Sequence, residues 1–441
     1  MYNMKNKRQW FFAGMICCFF VIMSARTEAQ TPMRLSLAEA QRYALAHNYS
    51  MMNASLEVKK AEVARWEALA AMLPSVATQF DYNSMLGYEM KFNMAGGSVS
   101  VPMNPYGTFS LTASIAFNAQ MLMGRIISNR SRNITEIQRR QAELSTLLNV
   151  KSAYVSILAM EDVVGLLDSS LANMERLERT TIESVKAGAA EQIAADRLSV
   201  QVASLRNSIH SNRRQLNLLY NSLIIMLGAD VDSRITLTTP LDSILDVSHA
   251  SVLATTEFDV TKNYDYQLLQ ESERIAHDQV LLAWCSYSPT LSAFYQYSKK
   301  TYFGKDEGMN MTPPNVMGLS ISLPLFQSGA RIAKVRQAKI AYQENLNSKR
   351  QAEDGLQVNY RQLCFDLLSA IETYQTQRNN IDVCKRVFDN TAEKYRFGRA
   401  SNIEVTNAST DIISAESNYL QSVLSVINAQ LSLERLMNVE Q

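Results

Sequence analysis

Residues 109–118 read FSLTASIAFN, and residues 317–325 read MGLSISLPL. In both segments apolar side chains occupy every second position, and small or polar residues lie between them. This alternation predicts β-strands with one apolar and one polar face. The segments SVATQFDYN and TLSAFYQYS alternate less cleanly and are the predicted partner strands. We therefore predict two hairpins, with strands at about 75–83 and 109–118 and at about 290–298 and 316–326.

The hairpins lie within unusually uncharged stretches of the chain. No charged side chain occurs from Phe92 to Gly124 or from Gly308 to Ala330. Paired glycines, prolines and the polar alternation argue against a membrane-spanning helix, whereas a strand needs only ~9–11 tilted residues to cross a bilayer. Taken alone, these segments fit a hairpin in a soluble core equally well.

The N-terminus favours the membrane interpretation. Lys5, Lys7 and Arg8 precede an uncharged run from Trp10 to Met23, and small residues follow near Ala29. This pattern is typical of a secretory signal peptide, predicted here at 1–29 and without a lipid anchor. In a membrane, four strands cannot close on themselves, and open edges would leave backbone groups unsatisfied. Closure of the sheet therefore requires several chains.

Between the hairpins the chain is predicted to be helical. No proline occurs between Pro105 and Pro240 or after Pro324, so two long tracts lack the strongest helix breaker. Residues 126–185 alone would form a helix of ~90 Å at ~1.5 Å per residue. In 356–395, apolar or small residues recur at alternating spacings of three and four, which is typical of coiled-coil packing.

The chain also contains an internal duplication. Similar segments recur in the same order and at similar spacing, namely 48–74 with 263–289, 114–126 with 320–332, and 185–193 with 395–403. Repeats of this kind set the architecture. We predict a first repeat over 30–250 and a second over 251–441, each with helices, a hairpin, and a tight turn at about 186–193 or 396–403.

Composition and motifs exclude several classes of protein. With 43 basic and 42 acidic residues and a net charge of +1, the chain lacks the excess of basic charge that binding to nucleic acid requires. Its four histidines are dispersed, and no HExxH, GxSxG, GxGxxG or Walker motif occurs, so we expect no catalytic site, cofactor or metal site. The three cysteines beyond the signal peptide, without CxxC spacing, are expected to be free thiols.

Together these features resemble the TolC-like outer membrane efflux proteins. The resemblance rests on the signal peptide, the duplicated units, LSLAEAQRYALAHN after the predicted cleavage site, SISLPLFQSGARIAKVRQAK after the second hairpin, and KYRFGRASNIEV at the second turn. It implies a mainly α protein with a coiled-coil α-barrel and four transmembrane strands per chain. Three chains would close a 12-stranded β-barrel in the outer membrane of a Gram-negative bacterium.

The same resemblance implies partners and working residues. The family meets a periplasmic membrane fusion adaptor and, through it, an inner-membrane pump of RND or ABC type. The positions that adaptors grip correspond to Gly188, Ala189, Gly398, Arg399 and Ser401, although helix-capping glycines are the simpler interpretation of Gly188 and Gly398.

The periplasmic gate of the family corresponds to a second set of residues near the same turns. Tyr395 matches the gate tyrosine and Glu404 one acidic ring position, but the next ring position is Asn407. In the first repeat Ala194 takes the place of Glu404, and the nearby acids are Glu191 and Asp196. A solvated helix face explains those two acids about as well as a gate does.

Two other classes of protein remain as alternatives. One is a periplasmic coiled-coil scaffold or adaptor, which normally has one helical hairpin between β domains rather than two helical units. The other is a secreted lytic or adhesive protein. The exported substrate cannot be inferred from the sequence, because the pump and adaptor set most of the selectivity.

Overall fold

The structure, a computed structural model, describes residues 33–94, 97–244, 247–303 and 312–439. The predicted signal peptide lies outside these residues. The helices are α1 Leu37–His47, α2 Tyr49–Ala70, α3 Ala119–Lys186, α4 Gln192–Leu227, α5 Leu241–Ile244, α6 Val247–Leu253, α7 Tyr264–Trp284, α8 Ala330–Arg396 and α9 Asn402–Met437. The strands are β1 Met33–Leu35, β2 Ser75–Asn83, β3 Glu89–Met94, β4 Gly97–Pro102, β5 Tyr106–Phe117, β6 Ile235–Leu237, β7 Thr290–Tyr302 and β8 Asn315–Ser322.

Contacts divide the chain into two compact units. The first, called the helical unit, comprises residues up to Met51, Glu143–Thr256 and Gln362–Arg435. The second, called the sheet unit, comprises Met52–Ala142, Glu257–Arg361 and the residues from Leu436 onward. Each unit takes segments from both halves of the sequence.

The helical unit has a core shared by four helices. Side chains from α3, α4, α8 and α9 form one buried apolar cluster, whose members are Val163, Leu167, Met174, Leu177, Leu198, Val202, Leu205, Ile209, Phe388, Val405, Ala408 and Ile412. Within α3 and α4 the members recur at three-, four- or seven-residue intervals, so each helix buries one stripe. The predicted coiled-coil pattern in α8 is met at Leu367, Tyr374 and Phe388, which are buried.

A buried tyrosine connects α3 to a small pair of parallel strands. β1 pairs with β6, with Leu35 opposite Leu237. The Tyr154 hydroxyl donates to the Leu35 carbonyl at 3.0 Å and accepts the backbone N–H groups of Thr238 and Thr239 at 3.1 and 3.0 Å. Tyr154 is fully buried, so this hydroxyl satisfies three backbone groups that water cannot easily reach.

Replacing Tyr154 by phenylalanine is expected to lower the free energy of unfolding by about 2 kcal/mol, because the part-buried Thr239 N–H loses its partner. The Leu35 carbonyl and the Thr238 N–H each lose one of two partners and keep the 3.1 Å bond between them. A matched control is Tyr220→Phe, since the Tyr220 hydroxyl donates at 2.7 Å to Glu161 in an exposed pair. That control should cost less than about 1 kcal/mol. Urea titration of the purified protein, followed by circular dichroism, measures both; equal losses would contradict the role given to Tyr154.

The sheet unit contains one antiparallel sheet in the order β2-β5-β7-β8. β5 joins the two predicted hairpins by pairing with β7 along its whole length, from Tyr106 opposite Tyr302 to Phe117 opposite Leu291. The outer edges of β2 and β8 have no partner strand within the described residues. An open edge on each side leaves backbone donors and acceptors available to further strands.

The sheet has an apolar face and a polar face, because directly opposed residues project to the same side. The apolar face is formed by Val76, Phe80, Tyr82, Phe109, Leu111, Ala113, Ile115, Phe117, Leu291, Ala293, Tyr295, Tyr297, Met317, Leu319 and Ile321. The polar face carries Ser75, Gln79, Asp81, Thr108, Ser110, Thr112, Ser114, Ser292, Gln296, Ser298, Lys300, Ser320 and Ser322. The apolar face is exposed: Met317, Leu319 and Ile321 are 80%, 85% and 74% exposed.

The strand predictions are confirmed with corrected boundaries. The predicted strand 109–118 begins earlier, at Tyr106, and 290–298 extends to Tyr302. The predicted strand 316–326 is too long, because the ladder ends at Ser322, just before Pro324, which has no N–H to donate. The connection over 84–106, predicted to be a loop, instead contains the hairpin β3–β4.

One arginine organises the exit from the sheet into α8. Arg331 donates to the Pro324 carbonyl at 2.5 Å and to Gln327 Oε1 at 3.1 Å, and its guanidinium lies 5.3 Å from the centre of the Tyr287 ring. The side chain is only 8% exposed. Arg331 therefore fixes the turn between the sheet and a long helix.

Candidate functional site at the helical tip

The turn between α3 and α4 is closed by a glycine in the left-handed region. Gly188 has φ +71°, its N–H bonds to the Val185 carbonyl at 2.9 Å, and the N–H of Ala189 reaches back to the Ser184 carbonyl at 2.8 Å. These bonds form a Schellman motif, which satisfies carbonyls that the helix end leaves without partners. The capping interpretation of this glycine is therefore confirmed.

The turn between α8 and α9 repeats the same geometry. Gly398 has φ +68°, its N–H bonds to the Tyr395 carbonyl at 2.9 Å, and the N–H of Arg399 reaches the Lys394 carbonyl at 2.9 Å. The sequence match of 185–193 with 395–403 is thus accompanied by matching hydrogen bonds. We call these two turns together the helical tip.

The two turns differ in how the following helix begins. At α9 the Ser401 N–H and hydroxyl both donate to Glu404 Oε2, at 2.6 and 3.2 Å, and the Glu404 N–H donates to the Ser401 hydroxyl at 3.3 Å. This is a capping box. At α4 the corresponding residues are Glu191, which makes no side-chain capping bond, and Ala194. The acid predicted for the gate therefore also has a structural partner in Ser401.

Tyr395 is tied to the opposite long helix. Its ring packs against the four-helix core, and its hydroxyl lies 3.3 Å from the hydroxyl of Thr181. The Thr181 hydroxyl also lies 3.0 Å from the Leu177 carbonyl, so it has two acceptors within reach, this carbonyl and the Tyr395 hydroxyl. The sequence did not single out Thr181, because a helical threonine has no distinguishing local pattern.

A groove beside the tip brings two of the predicted gate residues together. Asp196 and Asn407 line a cavity of about 540 Å³ between α4 and α9, with Arg197, Val200, Gln201, Ile403 and Thr406 as its other lining residues. The Asp196 carboxylate accepts the Gln192 amide at 2.8 Å. Both Glu191 and Glu404 are exposed near their turns. The groove thus combines apolar walls with one acidic side chain, one basic side chain and two amide side chains, those of Asp196, Arg197, Gln201 and Asn407.

All five residues predicted to contact an adaptor are exposed: Gly188, Ala189, Gly398, Arg399 and Ser401. Beside them, Phe397 is 70% exposed. An exposed backbone turn with a bare aromatic ring and a cationic side chain offers apolar and polar contacts to a partner. The described residues contain no cluster of three or more metal-ligating side chains. In the same part of the chain, every helix is too short or too polar to span a membrane.

The fold matches solved channel structures along most of the chain. The outer membrane channel CmeC of Campylobacter jejuni superposes with a TM-score of 0.71 at 14% identity, covering 91% of this chain and 85% of that one. The outer membrane protein VceC of Vibrio cholerae gives 0.69 at 16% identity, covering 91% and 95%. The long helices and the small sheet of this chain thus have the fold of the TolC-like outer membrane channels.

Sequence comparisons find similarity to outer membrane efflux proteins. The model of the outer membrane efflux protein family matches residues 287–439. The probable efflux pump outer membrane protein TtgC of Pseudomonas putida KT2440 is 22% identical over 345 residues, which cover 75% of this chain and 69% of TtgC. The pyoverdine export outer membrane protein OpmQ of Pseudomonas aeruginosa PAO1 is 21% identical over 404 residues, covering 89% and 83%. Over most of its length the chain is similar to outer membrane efflux proteins, and these relatives support a location in the outer membrane.

Proposed function

We propose that this protein is the outer membrane channel of a tripartite efflux or secretion system. It conducts substrates passively from a periplasmic adaptor and an inner-membrane pump to the exterior, and it catalyses no reaction itself. The observation that supports this most is the four-stranded sheet, whose apolar face is exposed and whose two edges are open. In lipid such a face is favourable, and such edges must be paired.

Three chains would satisfy the sheet edges. Pairing β8 of one chain with β2 of the next gives a closed barrel of 12 strands, with the polar face inside and the apolar face toward lipid. We therefore propose a homotrimer in contact with outer membrane lipid. The two sequence repeats, 30–250 and 251–441, would give the barrel and the helical part an approximate sixfold arrangement, since each repeat supplies two strands and one helical turn.

Membrane fractionation and planar bilayers test the channel. The protein should be recovered from the outer membrane as an oligomer that separates into monomers on heating, and the purified oligomer should give discrete conductance steps. Recovery in the soluble periplasm, or an oligomer without conductance, would contradict the proposal. Such an outcome would favour the alternative of a periplasmic coiled-coil scaffold or adaptor.

The partners would meet the helical tip. We propose that Gly188, Ala189, Gly398, Arg399 and Ser401 contact a periplasmic membrane fusion adaptor, which connects the channel to an RND or ABC pump. Their exposure and the paired Schellman turns support this role. We also propose that Tyr395, Glu404, Asn407, Glu191 and Asp196 form the periplasmic gate, with the Tyr395–Thr181 contact holding α8 against α3.

The gate proposal predicts an effect of charge that differs from an effect of capping. Tyr395→Phe combined with Glu404→Ala is expected to raise single-channel conductance, because both a helix–helix hydrogen bond and an acid at the entrance are lost. Glu404→Gln is the matched variant, since glutamine preserves a capping box while removing the charge. In the Tyr395→Phe background it should raise conductance as alanine does. If only Glu404→Ala raised the conductance, Glu404 would act through helix capping alone. If neither Glu404→Ala nor Glu404→Gln raised it, Glu404 would not be part of the gate.

A further inference from the structure

We propose that Lys300 is a pore-lining cationic site that attracts anionic groups of solutes passing through the sheet region. The proposal rests on the proposed channel, since it requires the polar face to line water. It adds a residue and a substrate chemistry that the fold alone does not give: carboxylate, sulfonate or phosphate groups are favoured near Lys300.

Lys300 lies on the polar face and is held by aromatic rings. Its ammonium group is 3.6 Å from the centre of the Tyr106 ring and 5.0 Å from that of Tyr302, and the two rings are 5.8 Å apart. Tyr106 and Tyr302 are directly opposed across β5 and β7. The rings attract the cation and restrict its side chain, which is half-buried, so the charge has a defined position on the wall.

Charge is scarce on this wall. Among the residues of β2, β5, β7 and β8, the polar face carries only two charged side chains, Lys300 and Asp81. Thr108 lies between them, opposed to Asp81 on one side and to Lys300 on the other. The carboxylate and the ammonium are therefore about two strand spacings, or ~10 Å, apart, which is about a Debye length at 0.1 M salt. Near its own position Lys300 sets the sign of the potential.

The neighbouring lysine provides a control within the same strand. Lys299 is opposed to Phe109, so it projects from the apolar face. Lys299 and Lys300 thus have the same charge and almost the same position along β7 but lie on opposite sides of the sheet. A fixed charge on a water-filled wall concentrates counterions locally, whereas a charge on the lipid side does not act on solutes in the pore.

The test measures the potential at a cysteine two residues away. Ser298→Cys lies on the polar face, two residues from Lys300 along β7 and in a different row of the sheet from Asp81. It is placed in full-length chains whose Cys285, Cys364 and Cys384 are serine. The oligomer in lipid vesicles is treated with a methanethiosulfonate carrying a sulfonate or one carrying a trimethylammonium group. The ratio of the two labelling rates, at low salt, is compared among Lys300→Gln, Lys299→Gln and the parent.

Lys300→Gln is expected to lower the ratio of anionic to cationic labelling by about threefold, as Coulomb interaction across ~7 Å of partly screened water implies. Lys299→Gln should leave the ratio unchanged. An unchanged ratio with Lys300→Gln, or an equal fall with Lys299→Gln, would overturn the proposal. Failure of the channel itself has a different signature: the protein would be recovered in the soluble periplasm, or the purified oligomer would give no conductance steps, whatever the labelling ratio.

Discussion

Glu434→Leu is expected to lower the free energy of unfolding by about 4 kcal/mol, which is the largest effect of a single substitution that the structure predicts. Lys151 on α3 donates to both carboxylate oxygens of Glu434 on α9, at 3.0 and 3.1 Å. Both side chains are buried, Lys151 being 7% and Glu434 1% exposed. Removing the carboxylate leaves an ammonium group in the interior of the helical unit without its counter-charge.

The amide of Gln430 completes this network. It donates to Glu434 Oε1 at 2.7 Å from one turn earlier in α9. The cost of Glu434→Leu therefore has two parts, a small one for the amide and a large one for the uncompensated cation. Only the second part depends on Lys151, and this difference allows the two to be separated.

The double variant Lys151→Met with Glu434→Leu is the control. It removes both charges and fills the space with apolar atoms, and buried ion pairs replaced in this way often lose little stability. We expect the double variant to recover most of the loss, as measured by urea titration of the purified protein. If it were as unstable as Glu434→Leu alone, the loss would arise from packing rather than from the buried charge.

The sequence predicts the long helices well because their patterns are local. Absence of proline and regular apolar spacing predict helices in the two tracts that contain α3, α4, α8 and α9, although α3 begins at Ala119 rather than near Ile126. The strands were found by alternation. The same alternation was present at Met90 and Phe92 before the glycines and at Val99 and Val101 after them, and it was the available signal for the hairpin β3–β4.

Long-range pairings could not be predicted, because no local pattern encodes them. Lys151 and Glu434 are 283 positions apart, and each alone resembles a solvated residue on an amphipathic helix. The pairing of β5 with β7 likewise joins strands from different repeats. At the tip, the glycine turns were predicted from composition, whereas the Thr181 contact of Tyr395 depends on how α3 and α8 pack.

Stability of the helical unit is expected to fall as the pH rises from 4.5 to 7, because of a second buried acid. Glu416 on α9 is 2% exposed, its Oε1 accepts the Ser170 hydroxyl at 3.4 Å, and its Oε2 is buried without a hydrogen-bond partner among the described residues. Burial raises the pKa of Glu416 from 4.5 to about 7, although the Ser170 hydroxyl and the charge of Lys385 act to lower it.

The direction of this pH dependence follows from proton binding. Between pH 4.5 and 7 the folded protein keeps a proton on Glu416 that the unfolded chain releases, so folding takes up a proton and becomes less favourable as the pH rises. This stabilisation is complete below pH 4.5 and is lost as the pH rises to 7. The loss of unfolding free energy over this range is at most about 3 kcal/mol. Glu416→Gln, which cannot ionise, should remove this dependence.

Two variants make the measurement specific to Glu416. The difference in unfolding free energy between the parent and Glu416→Gln, followed by urea titration from pH 4.5 to 8, cancels the titration of all other groups. It should change by up to about 3 kcal/mol, with Glu416→Gln relatively more stable at the upper end. Ser170→Ala removes a hydroxyl that lowers the pKa of Glu416, so the loss of stability should continue to higher pH. Parallel pH profiles for the parent and Glu416→Gln would show that Glu416 keeps an ordinary pKa, and with it that water reaches this part of the four-helix core.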